Sequence, residues 1–230
     1  MSRFHKSLSF ITACFLMLAD GIYGQSLGLH HGASSEKASM TVHVYNYAGL
    51  SRSDLKLAES VAAEIFLERG VQIVWYDCRA SSRADDDPRC SQSVGLTTFK
   101  LRICRSCTSF LAVQGREVGG YATGQMATVS SLWVAQLETT LYVPSAKVLG
   151  RVIAHELGHL VLGPAHSPVG IMKANWTAKD FDHVNIGMLM FTSEQGELIR
   201  SSLKFRGSAN DETVVSAKSN PQLDLASANK

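Results

Sequence analysis

Residues Val148–Met172 read VLGRVIAHELGHLVLGPAHSPVGIM. Val148, Leu149, Val152, Ile153, Leu157, Leu160 and Val161 fall at helical spacing, so the first part of the stretch predicts an apolar-faced helix. Within it His155-Glu156-Leu157-Gly158-His159 forms an H-E-x-x-H pattern. On a helix His155 and His159 stand one turn apart on one face, where both imidazoles can reach a single metal ion. Glu156 is rotated by about 100° from His155, which sets its carboxylate beside the ion.

A metal held by protein side chains in an open site needs a third ligand, and His166 is the candidate. If the helix ran on, His166 would lie about 10 Å along the axis from His159. Both could not then reach one ion at about 2.0–2.1 Å. Gly163-Pro164 supplies the break. Proline lacks an N–H and disfavours helical backbone at the residue before it. Glycine accepts the positive φ that turns the chain back.

With these residues in place, the segment resembles the metzincin metalloproteases, whose signature is H-E-x-x-H-x-x-G-x-x-H followed by a Met-turn. His155, Glu156, His159, Gly163 and His166 match in kind, and Gly170-Ile171-Met172 resembles the Met-turn. The family has two residues between the second histidine and the glycine; here there are three, Leu160, Val161 and Leu162. The phrase HSPVGIM followed by KANWTAKDF also resembles a group of uncharacterised secreted bacterial proteins with metzincin-like sites. The resemblance implies an α+β fold: a metzincin-like zincin domain with a twisted mixed sheet, an active-site helix, a Met-turn and a C-terminal helix. It implies Zn2+ on His155, His159 and His166, and Met172 as an apolar floor rather than a ligand.

Composition narrows the function classes. A chain of 230 residues can hold one sizeable domain. A net charge of +2, without a basic patch, points away from nucleic acid and anionic membrane. Residues 1–24 have the pattern of a secretory signal peptide: Arg3, His5 and Lys6, then an apolar Leu8–Ala19 too short to span a bilayer, then Gly21 and Gly24. The expected location is therefore secreted or periplasmic, with no stable membrane insertion after leader cleavage. Cys78, Cys90, Cys104 and Cys107 follow the leader, and an even number behind an export signal suggests two disulfides. Three pairings are open; Cys78–Cys90 with Cys104–Cys107 is the simplest. The oligomeric state is not readable.

Residues 25–39 lack periodicity and read as a flexible N-terminal segment, with the catalytic domain over residues 40–206. Met40–Tyr47 predicts a strand. A helix capped by Ser51 or Ser53 follows, through Arg69, with a stop at Gly70. Val71–Tyr76 is nearly continuously apolar and predicts a strand buried on both faces, joined to the first by a parallel crossover. Asp85-Asp86-Asp87 reads as a solvated turn. Phe99–Ile103 and Phe110–Val113 predict strands, Tyr121–Ser130 an edge strand, and Leu132–Ala135 and Thr139–Val143 two more. Thr177 with Asp180, and Thr192 with Gln195, resemble capping boxes, the second opening a helix through about Phe205. Residues 207–230 read as a disordered tail.

The constellation implies a metallopeptidase acting on a peptide or protein substrate. Glu156 is the expected general base toward a zinc-activated water, and an edge strand above the helix would hold extended substrate by backbone pairing. Two alternatives stand beside it. One is a zincin hydrolase whose third ligand is acidic, Asp180 or Glu194. The other is an exported, non-catalytic zinc-containing binding domain, against which Glu156 argues, since a structural site has no use for that carboxylate.

Overall fold

A computed structural model describes residues 37–78, 88–91, 95–106 and 119–218, with side chains to residue 209. The described chain is mixed α/β, with five strands in one mixed sheet and six helices. In order, the elements are β1 (Ala38–Asn46), α1 (Arg52–Leu67), β2 (Val71–Cys78), α2 (Pro88–Ser91), β3 (Thr98–Cys104), β4 (Gly120–Thr123), β5 (Met126–Ser130), α3 (Ser131–Leu141), α4 (Ser145–Leu162), α5 (Ala178–Asn185) and α6 (Ser193–Lys218). The strands lie in the order β2-β1-β3-β5-β4; every neighbouring pair is parallel except β4–β5.

Period-two alternation builds the core face of this sheet. Met40, Val42 and Val44 of β1 are buried, as are Phe99, Leu101 and Ile103 of β3, and the parallel register sets Val42 opposite Phe99 and Val44 opposite Leu101. The two central helices pack on each other and on the sheet, α1 against β2 and α4 against β3, β4 and β5. Ser51 starts α1 by accepting from the Asp54 N–H at 3.1 Å, and Gly70, at φ 72°, turns the chain into β2. The β1–α1–β2 crossover is parallel, as its pattern predicts.

Four expectations are corrected. β2 is not buried on both faces: it is the sheet's outer strand, with Gln72, Val74 and Asp77 exposed. Tyr121–Ser130 is a hairpin rather than one strand, because Gly124 at φ 57° takes the first central position of a tight turn. Leu132–Ala135 and Thr139–Val143 are not strands; most of both lies in α3, which Ser130 caps by accepting from the Trp133 N–H at 3.3 Å. Two short apolar runs had concealed a helical stripe of Trp133, Leu137 and Leu141, all packed against the core. Finally, residues 207–218 are helical, continuing α6. They contain no proline, and extending a packed helix costs far less than starting one.

A disulfide joins Cys78, at the end of β2, to Cys90 in α2. Cys104 is also disulfide-bonded; Cys107 lies outside the described residues. The same holds for the leader, His30-His31, Asp85-Asp86-Asp87 and Phe110–Val113. Among the described residues no helix is long and apolar enough to cross a membrane.

Candidate metal centre

The site is built on α4, whose residues from Val148 to Leu157 are all buried. Pro144 precedes its first turn, where a missing N–H is harmless. Gly163 closes it: its N–H donates to the His159 carbonyl at 3.0 Å, and its φ of 96° with ψ of −178° is a backbone state open to glycine. From there the chain doubles back and carries His166 under the helix end.

The three imidazoles converge. His159 Nε2 lies 3.0 Å from His155 Nε2 and 3.3 Å from His166 Nε2. These are not hydrogen bonds. His155 Nδ1 is 2.7 Å from the Ile171 carbonyl and His159 Nδ1 is 2.9 Å from the Gly163 carbonyl. A carbonyl only accepts, so each Nδ1 carries its ring's proton and each Nε2 presents a lone pair to the same point. Tetrahedral bonds of about 2.0–2.1 Å would hold such nitrogens roughly 3.3–3.4 Å apart. Burial pushes the His155 imidazole down to about 4, against the pull of the Ile171 carbonyl, and the neighbouring histidines lower it further. Burial and His159 lower His166 as well. Both shifts favour the neutral form that a metal requires.

Glu156 points from the same turn toward β4. It is buried, and among the described residues its Oε2 has no hydrogen-bond partner. Burial raises its carboxyl to about 8, a cost that a nearby cation would offset. A buried carboxyl with an unpartnered oxygen beside three converging imidazoles fits a Zn2+ ion with an open position, and it is a poor fit to a closed structural site.

Behind the imidazoles runs the turn at Gly170–Met172. The Ser167 N–H donates to the Met172 carbonyl at 2.8 Å and the Ile171 N–H to the Met190 carbonyl at 2.9 Å. Met172 is buried beneath the helix. A Cβ at Gly158 would sit 2.7 Å from Met172 Sδ and 2.9 Å from the Phe191 ring, so glycine there is what lets the turn lie so close. Asp180 stands apart: it accepts from Lys173 Nζ and from both the N–H and hydroxyl of Thr177. Glu194 is in the first turn of α6 and exposed. Neither acid belongs to the cluster, which among the described residues contains the three histidines only. His43 and His183 are also outside it; the His43 ring packs edge-on against Tyr76.

No protein-family model matches the chain, and no curated protein matches it. Among solved structures it is similar to archaemetzincin from Methanopyrus kandleri, at 19% identity and a TM-score of 0.47, over 74% of this chain and 98% of that one. It is also similar to a zinc-dependent peptidase from Methanocorpusculum labreanum, at 15% identity and a TM-score of 0.47, over 69% and 99%. At these scores neither likeness bears on function, which rests on the site itself.

Two residues at the site carry no motif. Trp176 packs edge-on against His155 and donates its indole N–H to the Ile171 carbonyl at 3.1 Å, the oxygen that also orients His155. Gly120, the first residue of β4, touches Glu156: a Cβ there would lie 2.8 Å from both Cγ and Oε1 of the carboxylate. The only trace of this in the sequence is the Gly119-Gly120 pair ahead of an alternating run.

Proposed function

We propose that the protein is a secreted zinc-dependent metallopeptidase that cleaves peptide bonds, with His155, His159 and His166 as the metal ligands and Glu156 as general base. The observation that carries this is the convergence of three histidine Nε2 atoms, two of them with Nδ1 held on a carbonyl, beside a buried carboxyl. When bound, zinc supplies Lewis acidity, which lowers the pKa of water and polarises a carbonyl. Glu156 accepts the proton of the attacking water and delivers it to the leaving amine. The carbonyls of Ile171 and Gly163 hold the His155 and His159 rings in the required tautomer. β4 is the last strand of the sheet and lies beside Glu156, a position suited to an extended peptide bound by backbone pairing.

The buried Met172 beneath the helix supports the finer, metzincin-like reading, with the Gly170–Met172 segment as its Met-turn and Met172 as apolar floor. The one-residue-longer spacer is absorbed because α4 runs on to Leu162 before Gly163 turns the chain. The engagement of Asp180 with Lys173 and Thr177 disfavours an acidic third ligand. The leader pattern and the Cys78–Cys90 disulfide support export to an oxidising compartment.

Metal analysis with chelator-sensitive cleavage of a mixed peptide library tests the reading. One zinc per chain is expected, falling sharply on His166→Ala. Glu156→Gln should keep its zinc and lose at least about 10²-fold in turnover. A wild type that holds zinc yet cleaves nothing, or a Glu156→Gln variant as active as wild type, would sink it.

A further inference from the structure

A second cleft, of about 810 Å³, lies between α1, the N-terminal half of α4 and the segment from Val184 to Phe191. None of the metal-centre histidines lines it, nor does Glu156. At its wall sits Arg151, only 4% exposed. Its guanidinium makes one weak hydrogen bond, Nη1 to the Lys147 carbonyl at 3.3 Å, and its Nε has no partner. Guanidinium offers five N–H donors and stays charged, and a buried charge without an anion is costly. Two acids, Glu64 and Glu68, line the opposite α1 wall; among the described residues neither is within ion-pair distance of Arg151, although the Glu64 charge attracts the guanidinium from across the cleft. Lys147 adds a second cation to the same side.

The rim has the opposite character. Ile186 and Met188 are 66% and 64% exposed, and they flank Gly187, at φ 79°. A cleft with a buried cation at one end and uncovered apolar side chains at the other matches an amphipathic anion. The acids on the α1 wall would repel a second negative charge.

We propose that this cleft binds a monocarboxylate with an apolar tail, its carboxylate on Arg151 and Lys147 and its tail on Ile186 and Met188. The shared chemistry covers a free organic acid and the C-terminus of an apolar peptide. The test is isothermal titration and thermal shift on the full chain with hexanoate and with acetyl-leucine, which separate the two sources. Hexanamide and adipate serve as controls.

Saturable binding of either monocarboxylate is expected, with hexanamide and adipate at least about tenfold weaker. Arg151→Met should weaken binding by at least about tenfold. Should that variant fail to fold, Glu64→Gln decides: removing the competing acid should tighten hexanoate binding and narrow the gap to adipate. No saturable binding to wild type, equal binding of hexanoate and hexanamide, or hexanoate binding left unchanged or weakened by Glu64→Gln, which would show that the carboxylate is not held on Arg151, overturns the proposal. Peptide hydrolysis enters none of these readings.

Discussion

At the scale of single residues, the site depends on what is absent as much as on what is present. His155 and His159 are four apart because a helix turn is 3.6 residues, and this much is legible from spacing alone. Gly120 is different. Its missing side chain makes room for the Glu156 carboxylate and for the Thr128 carbonyl, which a Cβ would approach to 2.7 Å. Gly120→Ala should therefore displace Glu156 while leaving the three imidazoles alone. The expected result is zinc content near wild type with turnover reduced by about 10²-fold, the scale set by misplacing a catalytic group by about 1 Å. Peptide hydrolysis at matched zinc content measures it. A folded variant that turns over like wild type would show that Gly120 serves the hairpin only.

At the scale of elements, capping residues account for both the readings that held and those that failed. Both capping boxes expected after Met172 form: Thr177 with Asp180, and Thr192 with Gln195, whose side chain accepts from the Thr192 N–H at 2.9 Å. α3 departs from the expected strands because its Ser130 cap follows a strand without a break, so that its β-branched content is local while its helical period shows only over a longer window. α6 in turn finishes α4. Arg206 Nη2 donates to the Leu160 carbonyl at 3.0 Å and Ser202 to that of Val161 at 3.3 Å, two carbonyls that a helix end leaves unsatisfied.

The Asp180 cap has a pH signature. Burial alone would raise this carboxyl, but the Lys173 ammonium and the Thr177 N–H and hydroxyl outweigh it and hold it at about 2. With the folded value below the unfolded one, the contribution is complete above about pH 4 and lost as pH falls through 2. Urea unfolding of chelated protein isolates this from loss of zinc. Wild type should lose roughly 2 kcal/mol across that window, whereas Asp180→Asn should start lower at pH 6 and fall less. Parallel pH profiles would remove Asp180 from the account.

At the scale of the whole molecule, the metal centre is a junction. His155 and His159 come from α4 and His166 from the chain after Gly163, while Ile171, which orients His155, belongs to a turn tied to Met190. An ion bound only by this assembled set stabilises the fold by mass action. Adding zinc to chelated wild type should raise Tm, corresponding to about 4 kcal/mol at free zinc a thousandfold above Kd, and His166→Ala should lose most of that gain. Equal zinc-dependent shifts in both proteins would place the third ligand elsewhere.

Local chemistry written in consecutive residues was readable without a structure. The His155–His159 spacing, the Gly163-Pro164 break and the two capping boxes each involve residues a few positions apart, where backbone geometry alone dictates the outcome. Tertiary structure decided what distant segments do to each other. It set β2 at the edge of the sheet and brought Gly120 against Glu156. It also carried the Ile171 carbonyl to His155 and left Arg151 buried without an ion-pair partner among the described residues. Each of these follows from close packing between elements far apart in the chain, where a missing Cβ or an unmet hydrogen bond has meaning only once its neighbour is known.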